Sequence, residues 1–321
     1  MALQIIGPDR LVFAAADLAA ASKFLRDFGL IRAEAQGVLE RWETLNGCSI
    51  DLVAPDDAAW PDVLGTGNTL RRVVYGVADA AALEAVAAEL GRDRDLTRRA
   101  DGSFDTVDAV GIPIAFQVTV RRDLDLAPEP VNITGAAPQR PVNQTGHRDD
   151  FAPQPRTLSH FAMFVPDVAA AEAFYVERLG FRCNDRLGGG PFLRPAGTLE
   201  HHTMFLIKTP PFLKGIEHVA FHLGGVGEVL SAGQRFVRLG YAPFWGPGRH
   251  QMGGNWFWYF NTPLGNNFEY DADMDLHDDT WVPREMPLHV DNAQAFLFQP
   301  RENWAPFAGP PPGAAPADAS H

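Results

Sequence analysis

Cysteine and basic residues are scarce in this sequence, and each shortage excludes a class of protein. Cys48 and Cys183 are its two cysteines among 321 residues, too few for a disulfide framework. The 27 Lys and Arg residues are outnumbered by 40 Asp and Glu residues, which gives a formal net charge of −13. Because phosphate binding requires clustered basic residues, we expect no nucleic-acid partner.

Long apolar runs are also missing. No run approaches the roughly 18 apolar residues that cross a bilayer, so we expect no membrane contact. The first residues, MALQIIGPDR, lack the charged and then apolar pattern of a secretory signal. We therefore expect a cytoplasmic protein whose partners are small molecules.

Histidine is absent from the first part of the chain. All ten histidines lie at or after His147. Any chemistry that requires an imidazole must therefore come from the second half.

An internal repeat is the most informative feature that is present. VFAAADLAAASKFLRDFGL and FAMFVPDVAAAEAFYVERLGF share one plan, in which an apolar strand precedes an Ala-rich helix. Asp17 and Asp167 are placed to cap the two helices, and they are 150 residues apart. Gly29 and Gly180 are placed to end them.

The plan returns in RRVVYGVADAAALEAVAAELG and in EHVAFHLGGVGEVLSAGQRFVRLGY, so the chain holds four similar strand–helix–strand units. This pattern predicts an α+β fold with two domains. We assign 1–122 to an amino-terminal structural domain without metal ligands and 123–156, with six prolines, to a linker. Residues 157–275 form the predicted catalytic metal-binding domain, and 276–321 an exit arm with a Pro/Ala-rich tail.

Two histidines occupy matching places in the repeat. His160 shares a strand face with Ala162 in LSHFAMFV, and His218 shares one with Ala220 in IEHVAFHL. A single histidine among apolar residues is usually a satisfied core residue, but two at equivalent positions are not easily explained that way. Glu269, in the apolar strand NNFEYDA, needs a cation or strong donors if buried. Together they form the 2-His-1-carboxylate set that leaves positions open on Fe(II).

Several segments then resemble a known family. LSHFAMFVPDVAAAEAFYVERLGF, EHHTMFLI, IEHVAFHL, GPGRH and YFNTPLGNNFEYDAD, in this order, are similar to type I extradiol ring-cleaving dioxygenases of the vicinal oxygen chelate superfamily. The resemblance implies four βαβββ-type modules paired into two open barrels. It implies an enzyme of bacterial aromatic catabolism that inserts both atoms of O2 into a catechol-type substrate beside the diol. Fe(II) is the implied ion, with Mn(II) as the alternative, and a homo-oligomer is implied.

The resemblance also assigns the remaining catalytic residues. His202 matches the family's acid/base histidine, His250 the histidine that binds the substrate, and Tyr259 the tyrosine that donates to a catechol oxygen. His201 and His222 match no assigned role, and we interpret them as packing or supporting residues.

The first half serves as an internal control. Aligned on the repeat, it has Arg10 opposite His160, Arg72 opposite His218 and Ala115 opposite Glu269. None of the three can replace its counterpart as a metal ligand, so we expect this half to be structural and metal-free.

Two alternatives stay open. One is another metal enzyme of the same fold, such as a glyoxalase-like isomerase or lyase, which would need a further protein ligand. The other is a protein that binds or sequesters an aromatic compound without turnover, a type that lacks the metal set. The arm from Leu276 to Pro300 is a candidate contact with a neighbouring subunit.

Overall fold

The computed structural model describes residues 3–64, 69–148 and 150–298, so the predicted tail beyond Pro300 lies outside the described residues. The α+β class is confirmed. The first half contains β1 (Ile5–Ala14), α1 (Leu18–Phe28), β2 (Ile31–Ala33), β3 (Glu40–Glu43), β4 (Ser49–Val53), β5 (Leu70–Val77), α2 (Ala80–Leu90), β6 (Thr97–Arg98), β7 (Phe104–Val107) and β8 (Pro113–Val118). The second half contains β9 (Thr157–Val165), α3 (Val168–Ala173), a π-helical turn (Phe174–Arg178), β10 (Phe181–Leu187), β11 (Gly190–Pro195), β12 (Met204–Lys208), β13 (Gly215–His222), α4 (Val226–Arg238), β14 (Pro243–His250), β15 (Trp256–Asn261), β16 (Asn267–Ala272), β17 (Arg284–Met286), α5 (Val290–Ala293) and β18 (Gln294–Leu297). None of the described helices is long and apolar enough to cross a membrane.

Two mixed sheets repeat one topology. The first half forms an eight-stranded sheet in the order β2-β3-β4-β1-β5-β8-β7-β6. The second forms a ten-stranded sheet in the order β17-β10-β11-β12-β9-β13-β16-β15-β14-β18. The central strands β1 and β9 each have one parallel neighbour, β4 or β12, and one antiparallel neighbour, β5 or β13. The predicted internal repeat is therefore a repeat of strand order.

The strand register shows which residues of the two halves are equivalent. Val12 pairs with Arg72 between β1 and β5, and Ala162 pairs with His218 between β9 and β13. Because Val12 and Ala162 are also 150 residues apart, the offset predicted from the helix caps extends to the strands. Arg72 therefore holds the place of His218.

The next strand pair of each sheet, β5 with β8 and β13 with β16, shows a second equivalence. Val74 pairs with Ala115 between β5 and β8, and Ala220 pairs with Glu269 between β13 and β16. Ala115 therefore holds the place of Glu269, as the sequence alignment predicts.

The predicted helix caps are present. The Asp17 carboxylate accepts from the backbone N–H of Ala20 (2.9 Å), and Asp167 caps α3 in the same way. Gly29 ends α1 in the left-handed conformation at φ 104°. The second helix ends differently, because α3 continues into the π-helical turn before Gly180.

Helices of one half pack against the other half. The ring of Phe28, in α1, stacks on Tyr270 of β16 with centroids 3.9 Å apart, and the Tyr270 hydroxyl donates to Phe28 O (2.9 Å). In the opposite direction, the Tyr175 hydroxyl of the π-helical turn is 3.2 Å from that of Tyr75 in β5. One apolar core therefore spans both halves, which fixes the first half against the strands that carry the site.

The segments outside the two repeats have different structures. The predicted linker has neither helix nor strand in its described parts, 123–148 and 150–156. The arm folds back on its own sheet, because β17 pairs with β10 at one edge and β18 with β14 at the other. Its expected contact with a neighbouring subunit stays a prediction.

Candidate metal centre

Three neighbouring strands bring the predicted ligands together. His160 comes from β9, His218 from β13 and Glu269 from β16, and all three side chains are buried. One potential ligand atom of each lies within 4.8 Å of the others. His160 Nε2 is 3.2 Å and His218 Nε2 is 3.5 Å from Glu269 Oε2. We call these residues the ligand triad.

Hydrogen bonds behind His160 determine which ring nitrogen is free. The Ser159 hydroxyl donates to Asp271 Oδ2 (2.9 Å), so its oxygen accepts from His160 Nδ1–H (2.9 Å). This leaves the lone pair of His160 Nε2 directed at Glu269. Burial lowers the pKa of His160, which favours the neutral imidazole that a metal requires.

A carboxylate also orients His218. Its Nδ1–H donates to Glu217, an arrangement common behind metal-bound histidines. Burial lowers the pKa of His218, but the charge of Glu217 outweighs burial and the net pKa is raised. His218 Nε2 is buried and has no hydrogen-bond partner in the part of the chain that the structure describes.

Glu269 has one satisfied oxygen and one that lacks a donor. Asn255 Nδ2–H donates to Oε1 (3.4 Å), whereas the buried Oε2 has no hydrogen-bond partner among the described residues. Burial would raise the pKa of Glu269, but His160 and His250 outweigh it and keep the group ionised. Unpartnered lone pairs facing each other repel unless a cation joins them. Ligands about 2.1 Å from one ion and at right angles are about 3 Å apart, so the spacing fits a metal.

His202 lies beside the triad rather than in it. Its ring centroid is 4.2 Å from that of His160, and its side chain lines the apolar cavity described below. Burial and the neighbouring imidazoles lower the pKa of His202 well below its ordinary value. A neutral histidine in this position can accept a proton from a bound hydroxyl group.

His250 and Tyr259 form a pair on the opposite wall. His250 Nδ1–H donates to the backbone oxygen of Ala293 (2.9 Å), so Nε2 accepts from the Tyr259 hydroxyl (3.0 Å). Burial raises the pKa of Tyr259 well above its ordinary value, so the phenol keeps its proton. The exit arm, through Ala293, thus helps to orient a predicted site residue.

These groups surround an apolar cavity of about 260 Å³. It is lined by His160, Leu187, Phe192, His202, Phe205, Ile207, Glu217, His218, Phe244, Trp245, His250, Met252, Tyr259, Asn292 and Ala293. Trp256, Phe257 and Trp258 are not in the lining. They precede Tyr259 on β15, and Phe257 packs behind the cavity against His250, with centroids 4.1 Å apart.

Two histidines without a predicted catalytic role are held by carboxylates. His222 lies between Asp271 (2.8 Å) and Glu200 (3.0 Å). Burial lowers the pKa of His222, but these carboxylates outweigh it and raise the pKa well above its ordinary value. His201 contacts Asp185 and His202. The contacts of His222 and of His201 are consistent with the supporting role expected from the sequence.

Comparison with known proteins agrees with this architecture. Residues 157–270 match the family model described as Glyoxalase/Bleomycin resistance protein/Dioxygenase superfamily. That part of the chain is therefore a domain of this superfamily. The predicted vicinal oxygen chelate fold is confirmed by the solved Mn(II)-bound glyoxalase from Novosphingobium aromaticivorans, with a TM-score of 0.72 at 19% identity. That comparison covers 94% of this chain and 96% of the glyoxalase chain.

Two curated relatives carry names of ring-cleaving enzymes. Metapyrocatechase 2 of Cupriavidus necator is 37% identical over 122 residues, which are 38% of this chain and 38% of the relative. Biphenyl-2,3-diol 1,2-dioxygenase of Paraburkholderia xenovorans (strain LB400) is 29% identical over 289 residues, 84% of this chain and 88% of the relative. The second match extends over both halves.

Proposed function

We propose that this chain is an extradiol dioxygenase, which inserts both atoms of O2 into a catechol-type aromatic and cleaves the ring next to the diol. One observation carries the proposal. The ligand triad has two unpartnered lone-pair atoms, and its His160 and His218 line an apolar cavity whose walls also include His202, His250 and Tyr259. The names of the two curated relatives support the same reaction class.

The ligand triad would hold Fe(II), with Mn(II) as the alternative. Two neutral imidazoles and one carboxylate are a ligand set that suits such an ion, and a redox-active ion bound there would supply electron transfer between a catechol and O2. No other His, Cys, Asp or Glu within 3–64, 69–148 and 150–298 joins this cluster of potential ligands. The missing fourth protein ligand favours a dioxygenase over a glyoxalase-like isomerase or lyase.

The protein's own residues supply binding and proton transfer. Neutral His202 takes a proton from a diol hydroxyl and can return it to the ring-opened product. Tyr259 carries a protonated hydroxyl beside His218, with ring centroids 5.1 Å apart. In the free site this hydroxyl donates to His250 Nε2. It can donate to a diol oxygen by turning away from His250 when the substrate binds.

The cavity favours a catechol with an uncharged, apolar substituent. Among the described residues of its lining, none is Lys or Arg, and the side chains away from the triad include Leu187, Phe192 and Met252. A carboxylated catechol would lack a cationic partner and would meet the carboxylate of Glu217. An alkyl or aryl group would instead pack against these apolar side chains, and removing both apolar surfaces from water favours binding.

The test is an assay of the Fe(II)-reconstituted protein under air. We expect one O2 consumed per catechol, both oxygen atoms of ¹⁸O2 in the product, and a yellow semialdehyde-type product. Activity should fall as Fe(II) oxidises and return with Fe(II) and a reductant. Alkyl- and aryl-substituted catechols should exceed 3,4-dihydroxybenzoate in kcat/KM. Tight catechol binding without O2 consumption would indicate a sequestering protein, and turnover without ¹⁸O incorporation a different reaction.

We also propose, from the family resemblance, a cytoplasmic homo-oligomer. Light scattering of the purified protein tests the assembly, and a monomer at micromolar concentration would contradict it.

A further inference from the structure

Behind His202 lies a continuous row of hydrogen-bonded groups. His202 Nδ1 is 3.0 Å from His201 Nδ1, and His201 Nε2 is 2.8 Å from Asp185 Oδ2. All three side chains are buried. The row runs from the cavity wall through His201 to β10, and the reaction proposed above does not use its two inner members.

The inner end of the row carries a negative charge. The exit arm supplies three donors to Asp185, namely the backbone N–H of Arg284 (2.8 Å), its Nε–H and its Nη2–H. Burial would raise the pKa of Asp185, but His201 and Arg284 outweigh it and lower the pKa below its usual range. An ionised carboxylate has no proton, so it can only accept from His201.

With a neutral His201, an acceptor at one end determines every proton position along the row. His201 Nε2–H donates to Asp185, so in neutral His201 the other nitrogen, Nδ1, carries a lone pair. His202 Nδ1 must then donate to it, and its second nitrogen is left without a proton. We propose that Asp185 and His201 act as positioning residues that hold His202 in the Nδ1–H tautomer, with the Nε2 lone pair available to the cavity.

The neighbouring backbone keeps His201 from turning away. Its backbone N–H donates to Asp275 O (2.9 Å), and its carbonyl accepts from Asn184 Nδ2 (2.8 Å). Gly253 has a positive φ of 83°, and a Cβ there would lie 3.1 Å from His201 Nδ1. The ring is therefore packed in the orientation that aligns its nitrogens with both partners.

The tautomer matters because only an unprotonated nitrogen can remove a proton. In the proposed reaction, which this inference assumes for its kinetic effect, a diol O–H bond breaks and the proton goes to His202 Nε2. The imidazole is then a cation with both nitrogens protonated. Its Nδ1–H remains bonded to His201, whose dipole and Asp185 partner stabilise the new charge.

The tautomer can be measured without any turnover. Long-range ¹H–¹⁵N correlation spectra of ¹⁵N-histidine-labelled protein distinguish protonated from unprotonated ring nitrogens. Zn(II) replaces Fe(II) in the sample to avoid paramagnetic broadening, and His202→Phe identifies the signals of His202. We expect His202 protonated at Nδ1 alone and His201 protonated at Nε2 alone. A His202 protonated at Nε2 would overturn the proposal, whatever the protein's activity.

Substitutions test whether the two inner residues impose this state. In Asp185→Asn, Arg284 keeps the amide oxygen, so the amide NH2 faces His201 and reverses each donor along the row. We expect His202 to change to the Nε2–H tautomer and kcat to fall by about 10²-fold, the lower end of what a positioned general base contributes. KM for the catechol and metal content should stay within about two-fold, because neither residue touches them.

A second pair of variants keeps the test valid if Asp185→Asn folds poorly. His201→Asn places an amide oxygen where Nδ1 lies and can still accept from His202, whereas His201→Leu cannot. The asparagine variant should have at least tenfold higher kcat than the leucine variant, at equal metal content. Equal rates, or an unchanged His202 spectrum in His201→Leu, would show that the row only packs.

The matched control is Asp51→Asn in the first half. Asp51 is a buried carboxylate that also pairs with an arginine, Arg41 (2.7 Å), but it belongs to the half without the triad. Its loss should change stability and leave kcat and the His202 spectrum unchanged. A similar fall of kcat in both variants would mean that lost stability, not the tautomer, explains the effect.

Discussion

The two halves of the chain share one strand frame and neutralise the carboxylates inside it in different ways. In the second half, Glu269 faces two imidazoles across a gap that fits an ion. In the first half, arginines hold the equivalent places. Arg10 Nε lies 3.5 Å from Asp51 Oδ2, and Arg72 Nη2 lies 3.1 Å from Asp105 Oδ2. A guanidinium there supplies the positive charge that a metal would supply in the other half.

The difference shows that the frame alone does not make a metal site. Arg72 also lies over the ring of Trp60, 4.6 Å from its centroid, so the space is filled by side chains. Ala115 offers no donor, and a protonated guanidinium cannot bind a metal. We therefore propose that the first half is structural and holds no metal.

Removing the ligands should produce the largest effect. His160→Ala, His218→Ala and Glu269→Ala should each abolish detectable metal binding and activity while the fold is retained, because each removes one of only three protein ligands. Metal analysis of the purified protein and far-UV circular dichroism test this. The control is Arg72→Ala, the equivalent position of the first half, which should retain the metal. Full metal occupancy in any ligand variant would contradict the assignment.

The comparison also predicts the stoichiometry. One ion should bind per chain, held entirely by residues after Arg156, because the first half offers arginines and Ala115 at the equivalent places. Equilibrium dialysis against Fe(II) under anaerobic conditions measures the ratio. A value near two, or an ion between Arg10 and Arg72, would break the proposed division between the halves.

A catalytic role without ligation predicts a smaller effect at His202. His202→Phe should bind metal and catechol normally, yet kcat should fall by roughly 10²-fold, because no base remains beside the substrate. The matched control is Cys48→Ala, because Cys48 precedes β4 at the place in the first half that His202 holds before β12 in the second. This variant should leave kcat unchanged. Loss of iron from His202→Phe would mean that His202 is a ligand.

The sequence predicted the parts of the site that the repeat makes visible. His160 and His218 stood out because each opens a repeat unit at the same place, and Glu269 because it interrupts an apolar strand. His202, His250 and Tyr259 followed only from family resemblance. All three side chains line the cavity beside the triad, although their catalytic roles stay predictions.

The parts that were missed depend on contacts between distant segments. Asp185 meets His201 across 16 residues, and Arg284 meets Asp185 across 99. Ala293 contacts His250 through a backbone oxygen, which no side-chain pattern can reveal. The fold of the exit arm decides these contacts, and its short elements carry no periodic signal.

The contact between the halves supports a prediction about stability. Phe28 is fully buried, and its ring contacts Tyr270 and Phe236 of the second half. Phe28→Ala should lower the free energy of unfolding by about 3–5 kcal/mol, measured by urea denaturation. Deleting 1–122 would remove this contact entirely, so we expect an insoluble product. The control Phe212→Ala, at a side chain 74% exposed, should change stability by less than about 0.5 kcal/mol. Equal effects would contradict the shared core.

The smallest predicted effect is a pH dependence at the other contact between the halves. Asp108 of the first half accepts from the backbone N–H groups of Val110 (2.9 Å) and Ile112 (2.8 Å) and from the Tyr175 hydroxyl of the second half (3.3 Å). Burial outweighs these donors and raises the pKa of Asp108 to about 6. The folded protein thus prefers the protonated form, and this preference favours folding below the unfolded pKa, near 3.8. That contribution is lost as pH rises through about 6, and it amounts to at most about 3 kcal/mol.

Asp108→Asn removes this dependence because an amide does not titrate. Its oxygen can still accept from Val110 and Ile112, and its NH2 group can donate to the Tyr175 hydroxyl. We expect the variant to gain stability relative to the unsubstituted protein as pH rises from about 4.5 to 7.5, by about 1–2 kcal/mol. Urea denaturation of the metal-free proteins at both pH values measures the difference, with exposed Asp125→Asn as the control. A difference that is constant with pH, or that reverses in sign, would mean that Asp108 is ionised at the contact and that the two halves meet through a charge rather than a neutral hydrogen bond.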